Sequence, residues 1–280
     1  MFGKVIGDFE LLKLVNRGGM AETFKARRRS DGEIFALRLM PEGIASTPRS
    51  IKEFIYGSRI AAELTHPNII KVIDVVPDPL QPYVVLEFVD GDNLKQAIIK
   101  HNQLVVERPL YILIEIAEGI SHLHSKNIIH RDIKPENIIV TEKPLIKIVD
   151  FGLSIQNKGQ PVVTKSISGS PSYLAPEIIL ERKYSEATDI YSFGVTAYEL
   201  LTGRLPYEGQ TEQEILEKHV DQTLQPRPIR EFNSAISEKL EQIVMKLLEK
   251  KPHQRYPHIS LFIRDFKAIT MGPRSSYQSE

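Results

Sequence analysis

The chain has 280 residues, with 36 Lys and Arg against 36 Asp and Glu, so its formal net charge is zero. That balance carries no electrostatic signature of nucleic-acid or anionic-membrane binding. The absence of cysteine excludes disulfides, thiolate catalysis and Cys-ligated zinc. A hydrophobic fraction of 41% and a charged fraction of 26% are ordinary for a soluble globular protein, and the length admits one large domain or two lobes. The opening MFGKVIGDFELL lacks the apolar core of a signal peptide, and no apolar run approaches membrane-spanning length, so a soluble, cytoplasmic protein is expected.

In chain order, three strand-like pieces come first, Phe9–Val15, Thr23–Arg27 and Ile34–Leu39. Asp31-Gly32 is a strong hairpin signal between the last two. Asn16 to Ala21 joins the first two, and a glycine-bearing turn between paired strands lets backbone amides approach phosphates. Ser50 to Leu64 has helical apolar spacing and precedes His66-Pro67-Asn68-Ile69-Ile70. Tyr83 to Gly91 reads as an apolar strand ending in a turn, after which Asp92 or Asn93 caps a helix. Glu107 to His124 is predicted to be a buried helix.

The centre of the chain is Ile128 to Gly152. Two apolar pieces, Asn137–Val140 and Leu145–Val149, flank a polar turn at Thr141 to Pro144, which predicts a hairpin. Pairing them brings Asp132 and Asn137 at one end together with Asp150 at the other, with Lys134 beside them. Such a group suits phosphoryl transfer, which needs positioning and charge stabilisation more than covalent chemistry. A carboxylate and a carboxamide are hard oxygen ligands suited to Mg²⁺. A second carboxylate can orient a hydroxyl and accept its proton, and an ammonium can neutralise the moving phosphoryl group. Beyond lies a hydroxyl-rich stretch, Leu153 to Leu174, then Ala175-Pro176-Glu177, an apolar helix from Asp189 to Leu201 stopped by Gly203, a helix around Leu240 to Leu248, and a last helix from Pro257 to Phe266.

The run His130-Arg131-Asp132-Ile133-Lys134-Pro135-Glu136-Asn137, followed by Asp150-Phe151-Gly152 and Ala175-Pro176-Glu177, resembles the motif set of protein kinases. The resemblance covers Phe9 to Ala268 and implies an α+β, two-lobed protein kinase fold: a small antiparallel-β lobe with one main helix and a larger, mostly helical lobe. It divides the chain into an extension at 1–8, a small lobe at 9–87, a hinge at 88–91, a large lobe at 92–268 and a flexible tail at 269–280. It implies that Asp132, Lys134, Asn137 and Asp150 are catalytic, with Asn137 and Asp150 holding metal. The nucleotide would contact Asn16, Gly18, Gly19, Ala21, Thr23, Ala36 and Arg38, and the backbones of Glu87 and Val89 would read the adenine edge in front of Leu86. The implied cofactors are ATP and Mg²⁺, with Mn²⁺ as the alternative ion. The implied partners are protein substrates carrying Ser or Thr, and a homodimer is a candidate arrangement for autophosphorylation.

Three departures mark this chain. The glycine loop keeps only Gly18 of the family's three glycines, with Asn16 and Ala21 at the other two positions. Arg38 stands where the family has a strand lysine, and Gly57 stands where it has the helix glutamate that pairs with that lysine. Arg38 is therefore expected either to reach Glu53, one helical turn before Gly57, or to bind phosphate with no carboxylate partner. Thr164, then Ser166 or Ser168, are the expected phosphorylation sites, with Arg131 as partner for the phosphate. Ser170 is expected to link Asp132 and Lys134. Asp189 is expected to hold the catalytic loop, and Glu177 with Arg255 to form a buried ion pair. Lys134 resembles the catalytic-loop lysine of Ser/Thr-directed members, and Gly18-Gly19-Met20, the short lobe connections and Lys250 to Pro257 resemble the eukaryotic-like Ser/Thr kinases of bacteria. The alternative to an active kinase is a pseudokinase, a nucleotide-binding or scaffolding module.

Overall fold

The computed structural model describes residues 3–18, 21–41, 48–78, 81–143, 145–157 and 159–270. Strands β1 (Val5–Ile6), β2 (Phe9–Arg17), β3 (Glu22–Arg28), β4 (Ile34–Leu39), β5 (Val72–Val76) and β6 (Tyr83–Glu87) form an antiparallel sheet in the order β1-β2-β3-β4-β6-β5. Period-2 alternation gives the sheet one face for a small core of Phe9, Leu11, Phe24, Ala26, Phe35, Leu37 and Tyr83. Residues 5–6, read as part of an extension, pair with β2. Helix α1 (Pro48–Ala62) lies against the sheet through Phe54 and Ile55, which pack with Met40 and Val84. Its last turn, with Ile60 and Ala61, joins the larger core instead. One amphipathic helix thus bridges the larger core and a separate cluster around Met40 and Val84.

The larger lobe starts at β7 (Asp92–Asn93) and α2 (Leu94–Ile99), where Asn93, not Asp92, is the cap: its side chain accepts the Gln96 N–H at 2.8 Å. Then come α3 (Gln103–Glu107), α4 (Pro109–Ser125), β8 (Ile128–Ile129), β9 (Ile138–Val140), β10 (Ile146–Ile148), β11 (Ile155–Gln156), β12 (Val162–Val163), α5 (Pro176–Glu181), β13 (Lys183–Tyr184), α6 (Glu186–Thr202), α7 (Glu212–Val220), α8 (Glu238–Leu247) and α9 (Ile259–Thr270). Helix α6 is buried along most of its length and begins one turn before Asp189, because Ser185 leaves helical geometry there. It ends at Gly203, whose φ of +70° is the left-handed C-cap conformation that glycine adopts without penalty. The tail from Gly272 and Pro144 of the central turn lie outside the described residues.

The Glu177–Arg255 pair forms as expected. Arg255 donates to both carboxylate oxygens at 2.7 and 2.8 Å, its side chain is fully buried, and it also bonds the carbonyls of Ala187, Glu249 and Lys250. One side chain so ties α5 to α6 and to the loop before α9. Glu177→Ala leaves that guanidinium buried without its counter-charge and is expected to destabilise by about 3–5 kcal/mol; urea denaturation measures it, and a loss within experimental error would contradict this account.

Candidate active site

The hairpin predicted at the centre is β9 against β10, with Ile138 opposite Ile148 and Val140 opposite Ile146. The Val149 N–H bonds the Asn137 carbonyl at 2.9 Å, so the loop before β9 and the turn after β10 leave from the same end. A parallel bridge between Ile69 and Ile148 fixes that end to the segment leaving α1.

His130 is fully buried. Its Nδ1 accepts the Asp132 N–H at 3.3 Å, so the ring proton sits on Nε2, 3.2 Å from the Val149 carbonyl. Burial pushes this imidazole below its usual range despite the attraction of Asp189 and Asp132, and it stays neutral. The Phe151 ring meets it edge-on at 4.8 Å. Asp189, also buried, accepts the His130 and Arg131 N–H groups at 2.8 and 2.9 Å and His124 Nε2 at 3.0 Å. Held there, Arg131 adopts a φ of +71°, unusual for a non-glycine residue.

Beyond that bend the polar groups converge. Lys134 Nζ lies 2.8 Å from Asp132 Oδ2, and Asn137 Nδ2 donates to the same oxygen at 2.8 Å and to the Asp132 carbonyl at 2.9 Å. Both neighbours of the Asn137 amide nitrogen are acceptors, so its carbonyl oxygen points the other way. Ser170 links the group as expected: Lys134 donates to its hydroxyl at 2.6 Å, and that hydroxyl reaches Asp132 Oδ1 at 3.4 Å.

Asp150 sits at φ +64°. Its Oδ1 accepts the Gly152 N–H at 3.1 Å and meets Arg38 Nη2 at 2.5 Å. This corrects both expectations for Arg38. Its carboxylate partner is neither Glu53 nor missing; it is Asp150 on the other lobe. Glu53 is exposed on α1, whereas the Arg38 guanidinium lies under α1, 5.6 Å above the Phe54 ring. Burial raises the Asp150 carboxyl, but the Arg38 charge and the Gly152 N–H outweigh it and hold the group below its usual range. Among the described residues, Oδ2 takes no protein hydrogen bond, and about a third of the side chain is exposed. One hard oxygen therefore faces the cleft.

The remaining candidates line the small lobe. Asn16 is extended in β2 opposite Thr23, with no need of the positive φ that asparagine tolerates. The Gly18 N–H closes the turn on the Ala21 carbonyl at 2.9 Å; Gly19 lies outside the described residues. Ala36 pairs with Leu86, and Thr23 with Arg38. The Glu87 N–H is taken by the Lys71 carbonyl at 3.0 Å, and Val89, just beyond β6, is half-buried. Sequence reading missed what the Glu87 side chain does. It receives Lys147 Nζ at 2.6 Å and the Lys71 N–H at 2.8 Å. A lysine between isoleucines in a buried strand was the available signal. Among the described residues, no group of three or more His, Cys, Asp or Glu could hold a metal by itself, and no helix is long and apolar enough to cross a membrane.

Because the folded pKa of Asp150 is depressed, the stability it supplies is present above the unfolded value of about 3.9 and is lost as pH falls through the folded value. The Tm gap between the wild type and Arg38→Gln is expected to be widest near neutral pH and to close below about pH 4; a gap independent of pH across that range would refute the pairing.

The sequence matches the protein kinase domain over residues 9–266. It is 32% identical, over its whole length, to a probable serine/threonine-protein kinase of Clostridium perfringens and covers 41% of that protein. It is 31% identical over 90% of its length to the serine/threonine-protein kinase PrkC of Bacillus subtilis, covering 39% of it. To the serine/threonine-protein kinase PknB of Mycobacterium tuberculosis it is 30% identical over 89% of its length, covering 40%. The chain spans about two-fifths of the length of these relatives. The chain belongs to the protein kinase domain family.

Proposed function

We propose that this domain transfers the γ-phosphoryl group of ATP to serine or threonine hydroxyls of proteins. The observation that carries the reading is the contact set of Asp132, Lys134, Asn137 and Ser170, in which each of the four side chains is bonded to another of the set. Ser170 occupies the place where an acceptor hydroxyl has to sit, within reach of both the carboxylate and the ammonium. In this reading Asp132 orients the incoming hydroxyl and accepts its proton, with Lys134 and Asn137 fixing the carboxylate. Lys134 then steadies the moving phosphoryl group. The Glu87 carbonyl and the Val89 backbone face the adenine edge, since the Glu87 N–H is already engaged. Asn16, Gly18, Gly19, Ala21, Thr23 and Ala36 line the nucleotide from the small lobe.

The donor set fits a divalent ion, because Asp150 Oδ2 and the Asn137 carbonyl oxygen are hard ligands that the protein leaves open. Mg²⁺ or Mn²⁺ bound there would hold the phosphates and offset their charge. The lack of a larger acidic cluster among the described residues suits an ion that shares its coordination with the nucleotide.

Autophosphorylation of the activation segment belongs to the same reading, and a second copy of the domain is the candidate partner. Arg131 stacks on the Tyr184 ring at 4.0 Å and donates to the Leu153 carbonyl, and among the described residues its buried Nε has no partner. A phosphate on Thr164, whose hydroxyl now only spans to the Ser166 carbonyl, would supply an acceptor. Ser168 is the weaker candidate, since both its backbone groups are tied to the Tyr184 hydroxyl.

One observation favours a second reading, a nucleotide-binding module without turnover: Arg38 already engages the carboxylate meant for metal. The two are separated by following γ-phosphate transfer with Mg²⁺ or Mn²⁺ against Asp132→Asn. Transfer at least 100-fold above that variant is expected, a margin within what a lost general base and its positioning cost together. A nucleotide-dependent rise in Tm with transfer equal to the variant would establish the module instead.

A further inference from the structure

Gly57 sits inside α1, where glycine is the poorest helix former after proline. The contact around it gives a reason for its presence. A Cβ built on Gly57 would lie 2.1 Å from the Phe151 carbonyl oxygen and 3.3 Å from the Gly152 carbonyl carbon. The neighbour is backbone, not a flexible side-chain tip. It cannot yield easily, because Phe151 is buried against His130 and its carbonyl accepts the Ser154 N–H at 3.0 Å. On the far side of the same turn, a Cβ on Gly152 would lie 3.1 Å from Arg38 Nη2 and 3.2 Å from Asp150 Oδ1. Two glycines therefore let α1, the Arg38 fork and the Asp150–Gly152 turn stack with no side chain between them. On α1 the neighbours agree: the Phe54 ring centroid lies 5.6 Å from the Arg38 guanidinium carbon, and buried Ser58 turns its hydroxyl back to the Phe54 carbonyl at 2.8 Å.

We propose that Gly57 is a positioning residue, whose missing side chain seats α1 directly on the Phe151 carbonyl and so sets where Asp150 meets Arg38. The usual carboxylate on this helix would tie it to the strand cation by charge. Here shape holds the helix, and the cation is released to bind Asp150. The inference deepens the phosphotransfer reading and, for its effect on rate, rests on it.

The test is Gly57→Ala with amide hydrogen exchange at Ser154 and Gly152. If the seat exists, the added methyl lifts α1 from the turn. Tm then falls although alanine is the better helix former, and exchange at Ser154 speeds up because its acceptor is displaced. The rate of γ-phosphate transfer is expected to fall roughly 10- to 100-fold while KM for ATP changes little, as a displaced metal-binding carboxylate would give. A higher Tm with Ser154 exchange unchanged overturns the proposal, whatever the rate does. Arg38→Gln supplies a second arm that leaves the helix intact and decides the matter should Gly57→Ala not fold. Exchange is expected to quicken at Gly152, whose acceptor Asp150 is freed, but not at Ser154. Loss of protection at both would mean that charge, not shape, holds the turn, and would equally overturn the inference. If the wild type transfers no phosphate, the functional reading fails, and the exchange and Tm measurements still decide the role of Gly57.

Discussion

A buried carboxylate on a buried helix holds the site together. Asp189 has almost no contact with water, and burying a charge is costly unless hydrogen bonds replace the lost hydration. Three donors do so here, two from the backbone of His130 and Arg131 and one from His124. The exchange works in both directions. The carboxylate is satisfied, and the loop is held in the bend where Arg131 takes a positive φ. From that bend Asp132, Lys134 and Asn137 are delivered to one place. The helix carrying Asp189 is apolar and packed along nearly all its length, so the anchor barely moves.

The small lobe is joined to this platform by polar contacts that cross the cleft, and their characters differ. Glu87 on β6 and Lys147 on β10 make a pair inside the rear of the cleft, where Lys147 also donates to the Ile69 carbonyl at 3.2 Å. The ammonium thus bonds both the strand of the small lobe and the segment leaving α1. Arg38 and Asp150 make the other pair at the front, where the carboxylate is partly open. Such a pair is weaker and screened, and it can be exchanged for other partners. The rear contact is the more buried of the two on its cation, and the front contact is the one whose carboxylate is a third exposed.

Much of this was legible because the motifs are short and local. The β9–β10 hairpin and the Asp132, Lys134 and Asn137 grouping follow from local spacing, whereas the Ser170 link, the grip of Asp189 and the Glu177–Arg255 pair join residues 36, 59 and 78 positions apart and were legible only through the family resemblance. What escaped depends on distances between elements. In the sequence Gly57 is a missing ion-pair partner, and the packing contact shows only in the 2.1 Å that an added Cβ would leave to the Phe151 carbonyl oxygen. Helical periodicity offers Arg38 either the Glu53 carboxylate or none. It cannot show that the guanidinium passes beneath the helix to the other lobe. Element starts shifted for a similar reason. Helix α6 gains a turn before Asp189 because Ser185, not the apolar pattern, marks its first residue.

The change from lysine and glutamate to Arg38 and Gly57 is best understood as one coupled change. A carboxylate at position 57 would need a Cβ where the Phe151 carbonyl stands, so the present seating of α1 and a helix carboxylate exclude each other. Without that carboxylate, a strand cation pairs with Asp150, and arginine suits this better than lysine. Its longer fork reaches across to Asp150 while its charge stays 5.6 Å from the Phe54 ring centroid. The consequence is electrostatic. If Asp150 holds the metal, as proposed, a bare divalent cation there would face the Arg38 charge at close range. A cation arriving with a polyphosphate would give Arg38 an anion to turn to. On that reading the coupled change at positions 38 and 57 would favour the metal–nucleotide complex over the metal alone.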